Sequence, residues 1–453
     1  MDFDTLKDDL LALADTGLKY AKNKGAEQAE IYTSNMRNIT INTQAGMIDA
    51  KDGFTEGVGV RIALGKKIGF ASMCSLTDEA VKHAVNEAYS VAKSINQKNV
   101  GFEGFSPKKP PSEEGILDDQ ILELSTEHLV ERVNKIYLEA SNYDDRIITA
   151  SGRTTSFYGG YAVTNTEGVE AATRATAFVL ITSATAAANG KRKNAFDFEV
   201  SRTFPKMEQM GAKCAEKAIK LLASQPLDYT GVLPTLWDQR TMSTFWQMSL
   251  IHSINGRQVV EKNSYFMDKL GDKVATDQLN IKDDGQLPEG LSTASIDEEG
   301  IPRQTTPIIE EGILRSFLYD SYYGRLGKAT STGNASRQQN YESTPQISPT
   351  TIVITPGTKD FDALVSEIDK GVLVTDSVMG LGHSNLISGD FSCVATAAYL
   401  IENGEITHPL DSIQIAGNLY KSFKDIRAIG SDVELLQSVK TPSIIFDGFT
   451  LTG

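Results

Sequence analysis

Period-two alternation of apolar and polar residues, broken by Gly and Asp turns, is what most restricts the fold of this 453-residue chain. It runs through Ala29-Glu-Ile-Tyr-Thr33, Asn38-Ile-Thr-Ile-Asn-Thr43, Gly57-Val-Gly-Val-Arg-Ile-Ala-Leu64 and Lys67-Ile-Gly-Phe-Ala-Ser72. Such segments read as strands of a meander, each with one face toward a core. A second β stretch extends from 146 to 204, with Ile147–Ala150, Tyr161–Asn165 and Thr176–Thr185 as its clearest runs. Helical spacing frames both. Leu6, Leu10, Leu13, Ala14, Leu18 and Ala21 recur at three and four residues over 4–24, and Asn23-Lys-Gly25 ends the pattern. Further helices are expected over 77–95, 125–141, 206–223 and 239–255.

The expected class is α+β with two domains, because 453 residues exceed what one ordinary core holds. Residues 1–224 read as helices packed on a mixed or antiparallel sheet, and Ser224-Gln-Pro226 marks the boundary. The Pro- and Glu-rich run Ser106–Glu114 reads as a surface connector within that half. Residues 225–453 read as mainly β after the 239–255 helix. Two hairpins are expected there, turning at Glu311-Gly312 and Asn403-Gly404 between apolar strands. No internal repeat is visible.

Charge and composition exclude several classes. Lys plus Arg number 44 and Asp plus Glu 59, a formal charge of −15, so the surface repels phosphate and anionic lipid. Direct nucleic-acid binding is not expected. The longest uncharged stretch, Ala175–Gly190, is too short and too rich in Thr and Ser to span a bilayer. Cys74, Cys214 and Cys393 are too few and too far apart for a disulfide framework. The acidic start lacks an apolar leader, so a cytoplasmic location is expected.

Common catalytic motifs are missing. No Gly-x-Ser-x-Gly elbow occurs, and Gly59–Lys67 departs from a phosphate loop in spacing and in its missing hydroxyl, so it reads as strand–turn–strand. The five histidines are too dispersed for a His-Glu-x-x-His zinc helix. His83 and His128 sit in surface-type helices, and His408 in a turn before Pro409. His383 belongs to a Gly-rich loop, Met379-Gly-Leu-Gly-His-Ser-Asn-Leu-Ile-Ser-Gly-Asp390, suited to lining a site. His252 lies near the end of the 239–255 helix, whose Met242, Phe245, Trp246, Leu250 and Ile254 face inward.

Runs in fixed order along the whole chain resemble the TldD/PmbA family. They include Ala29-Glu-Ile-Tyr32, Gly57-Val-Gly-Val-Arg61, Gly69-Phe-Ala-Ser72, Asn263–Ala275, Asp297-Glu-Glu-Gly-Ile-Pro-Arg303, Ser331-Thr-Gly-Asn-Ala-Ser-Arg337, Gly389-Asp-Phe-Ser392 and Ile415-Ala-Gly-Asn-Leu419. The resemblance implies a peptidase family, known also as modulators of DNA gyrase, with two kinds of subunit. The TldD kind carries a His-Glu-x-x-x-His metal motif and a further cysteine ligand near its C-terminus. The TldE or PmbA kind lacks them and pairs with TldD.

Set against that motif, this chain reads His252-Ser-Ile-Asn-Gly-Arg257. Ser253 stands where the general-base Glu belongs, Arg257 replaces the second His, and residues 425–453 contain no cysteine. A permanently cationic guanidinium repels a divalent ion, and a serine hydroxyl is no base at neutral pH. Residues five apart on a regular helix stand roughly 140° apart, so the motif needs a helix break, for which Gly256 is suited.

The resemblance therefore implies a TldE/PmbA-type subunit of a cytoplasmic metalloprotease acting on unfolded peptides. It would have no metal and no catalytic residue of its own, zinc being expected on a TldD-type partner. His252, Ser253 and Arg257 are its degenerate motif positions, and Gly380, Gly382, His383 and Asp390 the expected lining of a peptide cavity. One alternative is a stand-alone, homodimeric peptide- or protein-binding module of the gyrase-modulator type. Another is an independent hydrolase using Asp390 and His383, against which the absent metal ligands count.

Overall fold

The computed structural model describes residues 2–96, 98–99, 101–205 and 207–453. The alternating segments of the first half form six strands: β1 Gln28–Gln44, β2 Met47–Leu64, β3 Lys67–Met73, β4 Ile147–Asn165, β5 Glu170–Ala188 and β6 Lys191–Ser201. They pair antiparallel in the order β3-β2-β1-β4-β5-β6. The runs 29–33 and 38–43, expected as separate strands, are parts of one 17-residue strand. Likewise 147–150 and 161–165 belong to the 19-residue β4. The alternation fails within β1 because both sheet faces are covered where the strand begins, and every residue from Ala29 to Asn35 is buried.

Helices cover one face of this sheet. Helix α1, Leu6–Lys24, and α2, Asp78–Ser94, bury their Leu, Val and Ala stripes on Ile31, Val58, Val60 and Ile62. A short α3, Asp119–Leu122, leads into α4, Thr126–Ser141, which packs on Ile39, Ile41, Phe178 and Leu180. Helix α5, Met210–Leu221, covers Ala184, Ala186 and Ala195. Side-chain caps start α2 and α4: Thr77 and Ser125 accept from the backbone N–H groups of Ala80 and His128. The helix expected over 206–223 opens on Lys206, which lies outside the described residues, and α5 starts only after Gln209, at φ 59°.

The order α1-β1-β2-β3-α2 and α4-β4-β5-β6-α5 is one unit used twice, with short α3 as a prefix to the second. The two copies join through the β1–β4 ladder, from Glu30↔Asn165 to Gln44↔Ser151. This corrects the expectation of no repeat. What recurs is element order and a burial pattern, which dissimilar residues satisfy equally well.

Residues 230–452 supply the other sheets. One has six strands and includes Ile281–Asp284 and Thr305–Glu310; another has nine and is built around Lys370–Met379 and Asp390–Glu402. Both expected hairpins form, with Glu310↔Ile313 and Glu402↔Glu405 as their closing pairs. Helix α6, Gln239–Ile254, packs between these two sheets. Its Met242, Phe245, Trp246, Leu250 and Ile254 are fully buried, and Trp237, Phe446 and Phe449 close around Phe245.

The halves dock through the helix-free face of the first sheet. Gly57 and Gly59 make room for Tyr341: a Cβ on Gly57 would stand 2.7 Å from its ring, and one on Gly59 2.6 Å from its carbonyl oxygen. The connector Ser106–Glu114 is exposed from 107 to 111 but is tied to the second half where Ser112 N–H donates to Ser295 O at 2.8 Å.

Candidate functional site

The backbone bends at the degenerate motif. Helix α6 ends at Ile254, Asn255 takes φ −73° and ψ 117°, and a five-residue helix α7, Gly256–Val260, sets off in a new direction. Asn255 Oδ1 caps the new helix by accepting from Arg257 N–H at 3.0 Å. The bend is clamped by Gly256 N–H donating to Leu318 O at 2.8 Å and Leu318 N–H donating to Ile254 O at 2.9 Å. There is no space for a side chain at Gly256, where a Cβ would stand 2.2 Å from the Tyr319 ring.

The side chains on this bend do not form a metal-binding set. His252 Nε2 lies 3.1 Å from Asn263 O. Ser253 is fully buried and its hydroxyl donates to Ser249 O and Leu250 O. Arg257 Nε donates to Glu261 Oε1 at 3.1 Å, and the same carboxylate oxygen accepts from the Tyr323 hydroxyl at 2.9 Å. Among the described residues, no group of three or more His, Cys, Asp or Glu side chains stands where it could hold a metal ion. A zinc ion of the kind the motif serves needs about three N, S or O donors, which these positions do not offer.

Arg257 instead borders a cavity of about 380 Å³ between the two halves. The first half contributes Arg61, Phe70, Phe102 and Phe105. The second contributes Glu299 and, from helix α8, Ser321–Leu326, and its cap Asp320, the side chains of Tyr322, Tyr323 and Arg325. Behind its wall runs a buried charge network. Arg61 Nη2 donates to Glu30 Oε2 at 2.6 Å and to Glu299 Oε1 at 3.2 Å, while Arg337 Nη2 donates to Glu30 Oε1 at 2.8 Å. Glu299 also accepts from Ser321 N–H, and Asp320 Oδ1 from Tyr323 N–H.

Carboxyls outnumber guanidiniums here: Glu30, Asp297, Glu298, Glu299 and Asp320 face Arg61, Arg303 and Arg337. Burial pushes Asp297 and Asp320 up to about 7, with Glu299 adding repulsion at both. Glu298 is also pushed up to about 7 by burial, against the pull of Arg337 and Arg303. Burial works against Glu299 too, but Arg61 and Ser321 hold its carboxyl below the ordinary value.

The Gly-rich loop stands elsewhere. Gly380, Gly382, His383 and Asp390 do not border the cavity that Arg257 borders. Gly382, His383 and Asp390 are exposed, and Asp390 is engaged by Ser388 and Asn418 rather than by His383. The loop reaches the motif helix through Leu381, buried in the same core cluster as Leu250 and Ile254, and through Tyr420, whose hydroxyl donates to Leu386 O and whose ring stacks on Tyr265 at 4.1 Å.

Sequence reasoning used Glu30, Arg61, Asp297–Glu299 and Arg337 only as landmarks of resemblance and did not single out Asp320, Arg325 or the aromatic lining. Charged residues inside otherwise apolar strand runs, such as Glu30 and Arg61, were the available signal.

A twice-used α-β-β-β-α unit docked on a β-rich half, with a cavity and a bent motif helix at their junction, defines a class of two-part α+β chains. Domain models of that class cover most of this one: PmbA/TldA metallopeptidase domain 1 matches residues 29–92, the central domain 119–222 and the C-terminal domain 230–453. The chain belongs to the PmbA/TldD family. It is 27% identical to a metalloprotease PmbA homolog of Haemophilus influenzae over 95% of this chain and 93% of that one. It is 26% identical to metalloprotease PmbA of Escherichia coli O157:H7, over 97% and 95%. Among solved structures, a putative modulator of a DNA gyrase from Thermotoga maritima superposes with a TM-score of 0.88 at 26% identity, over 97% and 99% of the two chains. TldE from Thermococcus kodakarensis shares the fold, with a TM-score of 0.87 at 22% identity over 98% and 100%. No helix among the described residues is long and apolar enough to cross a membrane.

Proposed function

We propose that this chain is the TldE/PmbA-type subunit of a two-component TldD/TldE peptidase that works on unfolded peptides in the cytoplasm. The observation that carries the reading is the bend at Asn255, kept by its cap and clamp while Ser253 and Arg257 occupy the positions of base and ligand. In this reading the chain holds no zinc. It shapes the chamber and positions the peptide, and a TldD-type partner supplies the metal and the cleavage. The cavity beside Arg257 is part of that chamber. Gly382, His383 and Asp390 face solvent in the single chain and Gly380 is half-buried beside them, so the four line the chamber only once the partner closes over them. The working units are the halves 1–224 and 225–453.

Mixing the purified chain with a TldD-type partner, while following cleavage of an unstructured peptide and zinc per chain, tests this. Cleavage is expected only in the mixture, with zinc on the partner. Cleavage by this chain alone, with about one zinc per chain, would overturn the reading.

A further inference from the structure

We propose that the cavity between the halves recognises a free peptide C-terminus, its carboxylate held by Arg325 and Arg257 and its last side chain lodged among Phe70, Phe102, Phe105 and Tyr322. This deepens the peptide-chamber reading and rests on it.

The cavity's acids and bases are unequally engaged. Among the described residues Arg325 donates only to backbone carbonyls, those of Gly104 and Phe105, and no carboxylate pairs with it. A guanidinium carries five N–H donors, so two such bonds leave donors for a ligand. Arg257 has one carboxylate neighbour, Glu261, which it shares with the Tyr323 hydroxyl. The cavity's carboxylates are committed to the protein: Glu299 to Arg61 and Ser321, Asp320 to the first turn of α8. An ammonium end would find no free counter-charge, whereas a carboxylate would find two forked donors.

In a chain of formal charge −15, a guanidinium such as Arg325, with no carboxylate partner among the described residues, favours an anionic guest on its cavity wall. Phe70, Phe102, Phe105 and Tyr322 also line the cavity, which suits an apolar terminal side chain more than a hydrated ion. A volume of about 380 Å³ accommodates the end of a peptide and not a folded domain.

The test uses the full chain and three hexapeptides labelled at the N-terminus: one ending in Phe with a free carboxylate, its C-terminal amide, and an amide carrying an internal Glu. Fluorescence anisotropy should show the free acid binding at least tenfold more tightly than its amide. Arg325→Gln should abolish that preference, and Arg325→Lys should keep part of it. Because Arg325 also steadies the 104–105 backbone, Arg257→Gln, at a more exposed position, serves as a second variant that should weaken the same preference. Equal binding of acid and amide would overturn the carboxylate assignment and leave the peptide chamber standing. Binding of the internal-Glu amide as tight as the free acid would overturn the C-terminal assignment. Failure of every peptide to bind would overturn both.

Discussion

Glu30, on the second residue of the Ala29–Tyr32 run, and Arg337, 307 positions later, are both inaccessible to solvent and meet at 2.8 Å. Arg61 grips both oxygens of Glu30, Nε to Oε1 at 2.8 Å and Nη2 to Oε2 at 2.6 Å, so this carboxylate bridges two guanidiniums. Removing one partner of a buried pair leaves an uncompensated charge, which costs about 3–5 kcal/mol. Glu30→Ala should lower unfolding free energy by about that amount in urea titration. A loss below about 1 kcal/mol would mean that the network contributes little to joining the halves.

The raised carboxyls give the junction a pH dependence of definite sign. Asp297, Glu298 and Asp320 reach about 7 in the folded chain, above their ordinary values near 4. The folded state therefore binds more protons than the unfolded state between those values, and stability falls as pH rises through that window. The lowered carboxyls Asp284, Glu289 and Asp411 act in the opposite sense but only at more acidic pH. The melting temperature should drop by several degrees from pH 5.5 to pH 8. Glu298→Gln should flatten the drop, and a midpoint that rises across this range would contradict the assignment.

Two glycines singled out in the sequence should respond oppositely to substitution. At Gly256 a Cβ collides with Tyr319 and Leu318, so Gly256→Ala should destabilise by about 1–3 kcal/mol. At Gly382 nothing lies within 4 Å, so Gly382→Trp should leave the melting temperature within a degree or two. In the reconstituted pair, the Gly382→Trp chain should still bind its partner but turn over peptide more slowly. Normal turnover would remove the loop from the chamber.

Metal content separates scaffold from chemistry. The purified chain should carry far less than one zinc after dialysis, by elemental analysis. Ser253→Glu should not create a site, because the side chain at 253 points into the core and a carboxylate there would be buried. That variant should melt several degrees lower and remain zinc-free. His252→Ala should leave cleavage by the reconstituted pair largely intact; complete loss in a correctly assembled pair would give this residue a catalytic role.

Local rules were legible in the sequence where a single segment contains all the information. Leu6, Leu10, Leu13 and Leu18 announce α1, Gly25 ends it at φ 89°, and Glu311-Gly312 and Asn403-Gly404 close their hairpins. The helix break was legible too, since a motif spaced five residues apart cannot face one way without it. Strand length was not, because the start of β1 loses its alternation where Tyr32 and Ser34 meet Asn340 from the other half of the chain. The cavity was hidden for the same reason. Nothing near Arg325 in sequence indicates that the carbonyls of Gly104 and Phe105, more than two hundred residues earlier, will be its partners.

The unbroken β1–β4 ladder also decides how the molecule moves. Neither copy of the α-β-β-β-α unit can swing without shearing hydrogen bonds from Glu30 to Gln44, so the sheet behaves as a single plate. A tilt of that plate against the β-rich half would have to part Arg61 from Glu299, 3.2 Å away, and lift Gly57 and Gly59 off Tyr341.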